Sequence, residues 1–183
     1  MKSAEIVSLC VGSAILYGIV HDQITARICV EYFTIGHPPM FGTVDPTLLG
    51  IGWGIIATWW VGFLLGIPLS FAARFGPRPK RDARSMIRPI LGLLAVMAGS
   101  AVISGIIGYV CAKSGGVRLV ESFFPAVPID RRVGFLVDLW AHNASYFGGF
   151  VGGLVVIVRI GRSRRWVSSL SFAQGAAEER RKA

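Results

Sequence analysis

Residues 48–73 read LLGIGWGIIATWWVGFLLGIPLSFAA, an unbroken run without a charged side chain. As an α-helix rising 1.5 Å per residue, this stretch covers about 39 Å, more than the ~30 Å hydrocarbon core of a bilayer. Gly50, Gly54, Thr58, Gly62, Gly66 and Ser70 recur in it every four residues and share one stripe, while Trp53, Trp59, Trp60 and Phe63 project elsewhere. Lipid offers helices little hydrophobic reason to associate, so small residues that let backbones approach closely do that work. The stretch therefore predicts a membrane-spanning helix with one packing face.

Three further runs have the same character. Spans are expected at about 4–33, 48–73, 90–112 and 133–160, with a basic tail over 166–183, and the fold class is an all-α bundle of four transmembrane helices. The apolar part of the first, Ile6–Val20, covers only about 22 Å, so HDQITARICVEYF is expected to continue that helix. Pro89 suits the first turn of the third span. The third and fourth spans repeat the small stripe with Ser100, Ser104, Gly108 and Ala112, and with Ser145, Gly149 and Gly153 beside Gly148 and Gly152. Ser8 with Gly12 and Ala14 with Gly18 do so in the first. A stripe left without an internal partner would serve homo-oligomer contact.

Composition agrees. Of the 183 residues, 53% are hydrophobic and 16% charged, with a mean hydropathy of +0.60, which excludes disorder and an ordinary soluble domain. The glycines follow no collagen period, and three cysteines cannot frame a disulfide module. Cys29 and Cys111 are expected as free thiols near one face, and Cys10 as a packing residue. Glu5 near the start and the lack of a small-x-small site favour an uncleaved first helix over a signal peptide.

Fourteen of the nineteen Lys and Arg residues fall on one side of the predicted spans, six of them between Arg74 and Arg88 and seven from Arg159 onwards. Both termini are therefore expected in the cytoplasm. The +9 charge then reads as a topology signal with attraction to anionic lipid headgroups, and a nucleic-acid partner is not expected. SFFPAVPIDRR, residues 122–132, reads as an interfacial segment on the outer leaflet, and His37-Pro38-Pro39 as the end of the first helix extension.

Ionisable groups inside a span are costly and mark candidate sites. Asp138, His142 and Ser145 lie at i, i+4 and i+7 on one face of the fourth span, flanked by Asn143 and Tyr146. Counted from Arg132, Asp138 lies about 9 Å and His142 about 15 Å below the outer boundary. His21 lies roughly 6 Å below it, with Asp22, Gln23 and Thr25 close behind. Arg27 and Glu31 are expected as an i, i+4 ion pair further out.

The polar cluster of His21, Asp22, Gln23, Asp138, His142 and Asn143 has three competing uses. One is a hydrogen-bond network that sets helix register. A second is a proton or ion site, as in a small transporter or proton-linked accessory protein. A third is a metal site from His21, Asp22, Asp138 and His142, whose donor types suit Zn, Fe or Mn, as in a metal-dependent membrane enzyme. Bis-histidine haem ligation by His21 and His142 is disfavoured by their difference in depth. The cofactor is left open, and so is enzyme against structural or assembly subunit. Motifs for a nucleophilic serine, a phosphate loop or a zinc protease are missing.

The segment HDQITARICVEYFTIGHPP resembles a family of uncharacterised bacterial integral membrane proteins, in which a His-Asp-Gln-x-Thr segment after the first helix is followed by Glu-Tyr-Phe-Thr. Here these are His21, Asp22, Gln23 and Thr25, then Glu31, Tyr32, Phe33 and Thr34. The family often has Ser-Pro where this chain has Cys29-Val30, which implies a more continuous helix here. AHNASYFGG, residues 141–149, is similar to its last helix. The resemblance implies four helices and a bacterial inner membrane, and carries no activity.

Overall fold

The computed structural model describes residues 2–182 apart from 122 and 124, with side chains through Arg165. Its elements are α1 (Lys2–Ile28), α2 (Val30–Thr34), α3 (Pro46–Ile56), α4 (Trp59–Arg74), α5 (Ala83–Lys113), a 3₁₀ turn at Ile129–Arg131 and α6 (Arg132–Lys182). Four of the helical stretches are long and apolar enough to cross a membrane: Lys2–Ile28, Pro46–Arg74, Ala83–Lys113 and Ile129–Arg165.

The small stripe of the second span seats α1 along its length. A Cβ on Gly54 would stand 2.5 Å from the Ile19 backbone, one on Gly62 2.7 Å from the Cys10 carbonyl, and one on Gly66 3.2 Å from Val7 Cα. Ser70 Oγ donates to the Ser3 carbonyl at the far end. The crossing is closest at Gly18, whose missing Cβ would meet Gly54 O and Thr58 Cγ2 at 2.5 Å each. There the second span is not one helix as expected: it breaks at Ala57 and Thr58, where Thr58 Oγ1 bonds the Gly54 carbonyl. A hydroxyl bonding back to the i−4 carbonyl bends a helix.

The α5 and α6 helices form the other antiparallel pair on the same principle. Ser104 Oγ donates to the Trp140 carbonyl at 3.0 Å, a Cβ on Gly108 would press on Trp140, and one on Gly148 would touch Ser100 Oγ. Within the first span the stripe is used only in part. Gly18 is buried, whereas Ser8 and Gly12 are exposed and a Cβ on Gly12 would meet nothing within 4 Å.

Helix boundaries differ from expectation in three places. The α1 helix does not run to residue 33, because Cys29 is extended (φ −150°, ψ 96°) and the chain restarts as α2, turning Tyr32 and Phe33 inward where both are buried. The third span starts at Ala83, capped by Asp82, whose carboxylate accepts from Ser85 N and is held below its usual range by that bond. Pro89 therefore lies inside α5 rather than in its first turn. The α6 helix continues through the basic tail to Lys182, whose side chains lie outside the described residues.

Two apolar clusters close the ends of the bundle. Ile6, Leu69, Ala73, Met86, Ile90 and Ile160 fill the end that holds the termini. At the other end Tyr32, Phe33, Leu49, Trp53, Phe135 and Leu136 pack with Leu119 and Val127 of the α5–α6 connection. That connection, expected to lie on the outer leaflet, thus folds onto the bundle: Val127 is buried and the Phe123 ring lies 5.4 Å from Phe135. Ser122 and Phe124 lie outside the described residues.

Arg164 was counted above as one basic charge among fourteen, yet it is buried. Its guanidinium donates to the carbonyls of Ala72, Phe75, Arg78 and Pro79, at 2.6–3.0 Å, and so closes the C-terminal end of α4 and the loop behind it. Arg164→Ala leaves four carbonyls without this donor and is expected to cost about 2–3 kcal/mol. Trypsin should then cut between residues 74 and 88 faster than in wild type, with exposed Arg162→Ala as the unchanged control. Arg164→Lys should behave nearly as poorly, since an ammonium lacks the planar fork.

Candidate histidine–carboxylate site

Between the two apolar clusters, α1 and α6 bring three of the expected side chains together. His142 Nε2 lies 3.2 Å from Asp22 Oδ1, and the rings of His21 and His142 stand edge to face with centroids 4.5 Å apart. One ligand atom from each of His21, Asp22 and His142 lies within 4.8 Å of the others. Across a filled tetrahedral site donor atoms are roughly 3.4 Å apart, so small side-chain rotations close the set. The depths counted from the charged ends placed these histidines about 9 Å apart, which the ring contact corrects. That contact also leaves no slot for a porphyrin between them, so the haem reading fails on geometry rather than on depth.

Local structure orients each donor. His142 Nδ1 lies 2.8 Å from the Asp138 carbonyl of the preceding turn. A carbonyl only accepts, so Nδ1 carries the proton and Nε2 is directed at Asp22. Metal-binding histidines are typically held this way, the second ring nitrogen donating to a carbonyl or carboxylate. His21 Nε2 is buried without a hydrogen-bond partner, and so are both carboxylate oxygens of Asp138, whose side chain is fully buried. Buried polar groups are paired in nearly all native proteins, by water or an ion where the protein supplies no partner, so these three atoms are the ones open to a further partner. Tyr32, at 4.5 Å between ring centroids, and Phe33, at 5.8 Å, wall His142 on the side away from the termini. Neither figured among the candidates above, although both lie in the segment that carries the family resemblance.

The remaining expected residues sit elsewhere. Gln23 turns towards α3, its Nε2 donating to the Thr47 carbonyl at 2.9 Å. Asn143 is exposed, because one residue past His142 is about 100° around the helix from the inward face. The Arg27–Glu31 pair does not form, since the break at Cys29 removes the i, i+4 geometry. Arg27 instead bonds Gln23 Oε1 and Thr47 Oγ1, tying α1 to the start of α3, and Glu31 pairs with Arg131 at 3.1 Å. Cys10, Cys29 and Cys111 are free.

A cavity of about 110 Å³ runs from the cluster towards the termini. Tyr17, whose hydroxyl is 2.8 Å from Ser145 Oγ, and Ser13 line its polar end. Leu65, Leu69, Leu94 and Ile157 wall the end nearer the termini, where Cys10 is the one polar side chain among the described lining residues.

Fold and site together define an all-helical protein with four helices fit to span a membrane and a buried histidine–carboxylate cluster joining the first and last of them. Comparison with protein-family models, with curated proteins and with solved structures finds no match.

Proposed function

We propose that this is a metal-dependent membrane protein, of the enzyme class, that holds one divalent transition-metal ion between His21 Nε2, His142 Nε2 and the Asp22 carboxylate. The observation that carries this reading is the convergence of those three donors with His21 Nε2 unpaired and His142 pre-oriented by its Nδ1 bond. Two imidazoles and a carboxylate suit Zn, Fe or Mn, and three protein ligands leave a coordination position open for water or substrate, as catalytic sites do. Charge supports the same reading: a divalent cation balances the two buried carboxylates Asp22 and Asp138. The adjoining cavity offers the open position an apolar chamber, suited to a substrate that reaches it from the bilayer. Transport through the bundle is disfavoured by the aliphatic wall below Ser145 and Tyr17.

The setting that goes with this reading is a bacterial inner membrane, in the family with the HDQ-x-T…EYFT segment. Both termini and the Arg74–Arg88 loop face the cytoplasm and its anionic headgroups, and the metal site lies in the outer half. The exposed Ser8–Gly12 strip is the surface left for homo-oligomer contact.

Metal analysis and titration of the purified protein test the function. Wild type is expected to bind one ion per chain and to release protons on binding, since the His142 Nε2–Asp22 contact holds a proton that the ion displaces. Asp22→Asn and His21→Ala should weaken binding by about 100-fold or more, beyond the loss of a mere orienting partner. A wild-type protein that stays metal-free under saturating Zn²⁺, Fe²⁺ and Mn²⁺ would leave the cluster as a structural network.

A further inference from the structure

Asp138 is fully buried, carries two unpartnered oxygens and takes no part in the three-donor set. Its surroundings lead outwards. Gly134, one turn before it on the same face of α6, lies against the break in α1: a Cβ there would meet Cys29 Cβ at 3.2 Å and the Ile28 carbonyl at 3.3 Å. Cys29 Sγ is 3.3 Å from Glu31 Oε2 and 3.6 Å from the Arg131 carbonyl. Glu31 Oε1 is in turn held by Arg131 Nε at 3.1 Å, and that guanidinium is about half exposed. Arg131 thus meets Glu31, Glu31 meets Cys29, and Cys29 lies against Gly134, one turn of α6 before the buried Asp138 and two before His142. A carboxylate, a thiol and a carboxylate are the donors a divalent cation would step between, in a part of the molecule otherwise packed with aromatic and aliphatic side chains.

We infer that Glu31, Cys29 and Asp138 form the route by which the metal ion reaches the buried site from the face opposite the termini, with the Arg131 guanidinium closing its outer end. The inference rests on the metal reading above and adds to it a path and a lock. Arg131 occupies the Glu31 carboxylate that an incoming cation would use, so ion and guanidinium compete for it. The break at Cys29, which a continuous helix would not have, is what turns Glu31 towards Arg131 and the thiol towards both. Arg131, Glu31 and Cys29 lie outside the donor set, so substituting them changes the rate of loading and not its equilibrium, whereas Asp138, at the inner end, also balances the bound charge.

Stopped-flow loading of the full-length protein in detergent with Co²⁺ or Zn²⁺, followed by extraction with excess chelator, separates the two. Arg131→Gln is expected to raise loading and extraction rates together, by about tenfold, with the equilibrium constant unchanged. Cys29→Val, which keeps a buried apolar shape and removes the thiol, is expected to slow both by a similar factor at the same equilibrium constant. Rates that stay at the wild-type value in both variants, or a change confined to the equilibrium constant, would overturn the route. So would slowing by His37→Ala alone, which would place the passage beside Tyr32, where His37 packs at 5.0 Å. Failure of the wild type to bind any ion at equilibrium is a separate result, and overturns the metal reading together with the route.

Discussion

Gly18→Leu is expected to disrupt the bundle, lowering its stability in detergent by about 3 kcal/mol or more, while Gly12→Leu on the same helix stays within about 0.5 kcal/mol of wild type. The two glycines are alike in sequence, each the second member of a small-xxx-small pair in one apolar run. Around them the structure is unlike. A Cβ on Gly18 would stand 2.5 Å from the Gly54 carbonyl oxygen, a backbone atom that moves only if the second span moves with it, whereas one on Gly12 would meet nothing within 4 Å. Overpacking is severe where the opposing atom is main chain, because no rotamer change relieves it. Thermal unfolding followed by size-exclusion chromatography reads both variants. Gly54→Leu should match Gly18→Leu, since it attacks the same crossing from the other side, and Phe63→Leu, at an exposed position, should match Gly12→Leu. Equal stability for Gly18→Leu and Gly12→Leu would remove the close-packed crossing from this account.

The second large effect is on metal-linked stability. Ion bound to the folded state alone stabilises it by RT ln(1 + [ion]/Kd), about 4 kcal/mol at a thousandfold excess over Kd. Chelator should therefore lower the unfolding midpoint of wild type and added ion restore it, whereas Asp22→Asn and His142→Ala should respond much less, by about 1.4 kcal/mol at the same ion concentration if Kd rises 100-fold. A hydrogen-bond network with no ion predicts the opposite pattern: no chelator effect in wild type, and a loss in each variant that added ion does not change. Asp138→Asn sharpens the contrast. It keeps the shape of a fully buried side chain whose oxygens have no partner and removes a carboxyl that can carry charge inside a bilayer only at a cost of about 2.5–3.5 kcal/mol on insertion scales. The ion-free variant should be at least as stable as ion-free wild type, while its stabilisation by added ion is reduced, because one of the two carboxylates that balance the cation is gone.

Much of the architecture was legible in the sequence for a simple reason: a bilayer imposes a length on each span and a period on each interface, and both are local properties. The uncharged run from Leu48 to Ala73 can satisfy its backbone in lipid only as helix, and its i+4 row of Gly, Thr and Ser leaves one face on which another backbone can lie. The placement of Asp138 and His142 together on one inward face followed from their spacing alone. What spacing could not settle was anything that depends on two elements at once. Counting residues from charged ends gave His21 and His142 different depths, because it cannot know how one helix is offset along another; their rings touch. Arg27 and Glu31 looked paired because a continuous helix puts i and i+4 side by side, and the extended Cys29 sent each to a partner more than a dozen residues away in the chain, Thr47 and Arg131. Arg164 looked like one basic residue among many until the ends of α4 and its loop supplied four carbonyls around it. Composition and periodicity determined that this chain makes four helices long and apolar enough to span a membrane, and which faces they offer one another. Only the tertiary structure decided which histidine meets which carboxylate, because that depends on helix offset and on a single break in α1, and neither is written in the local pattern of residues.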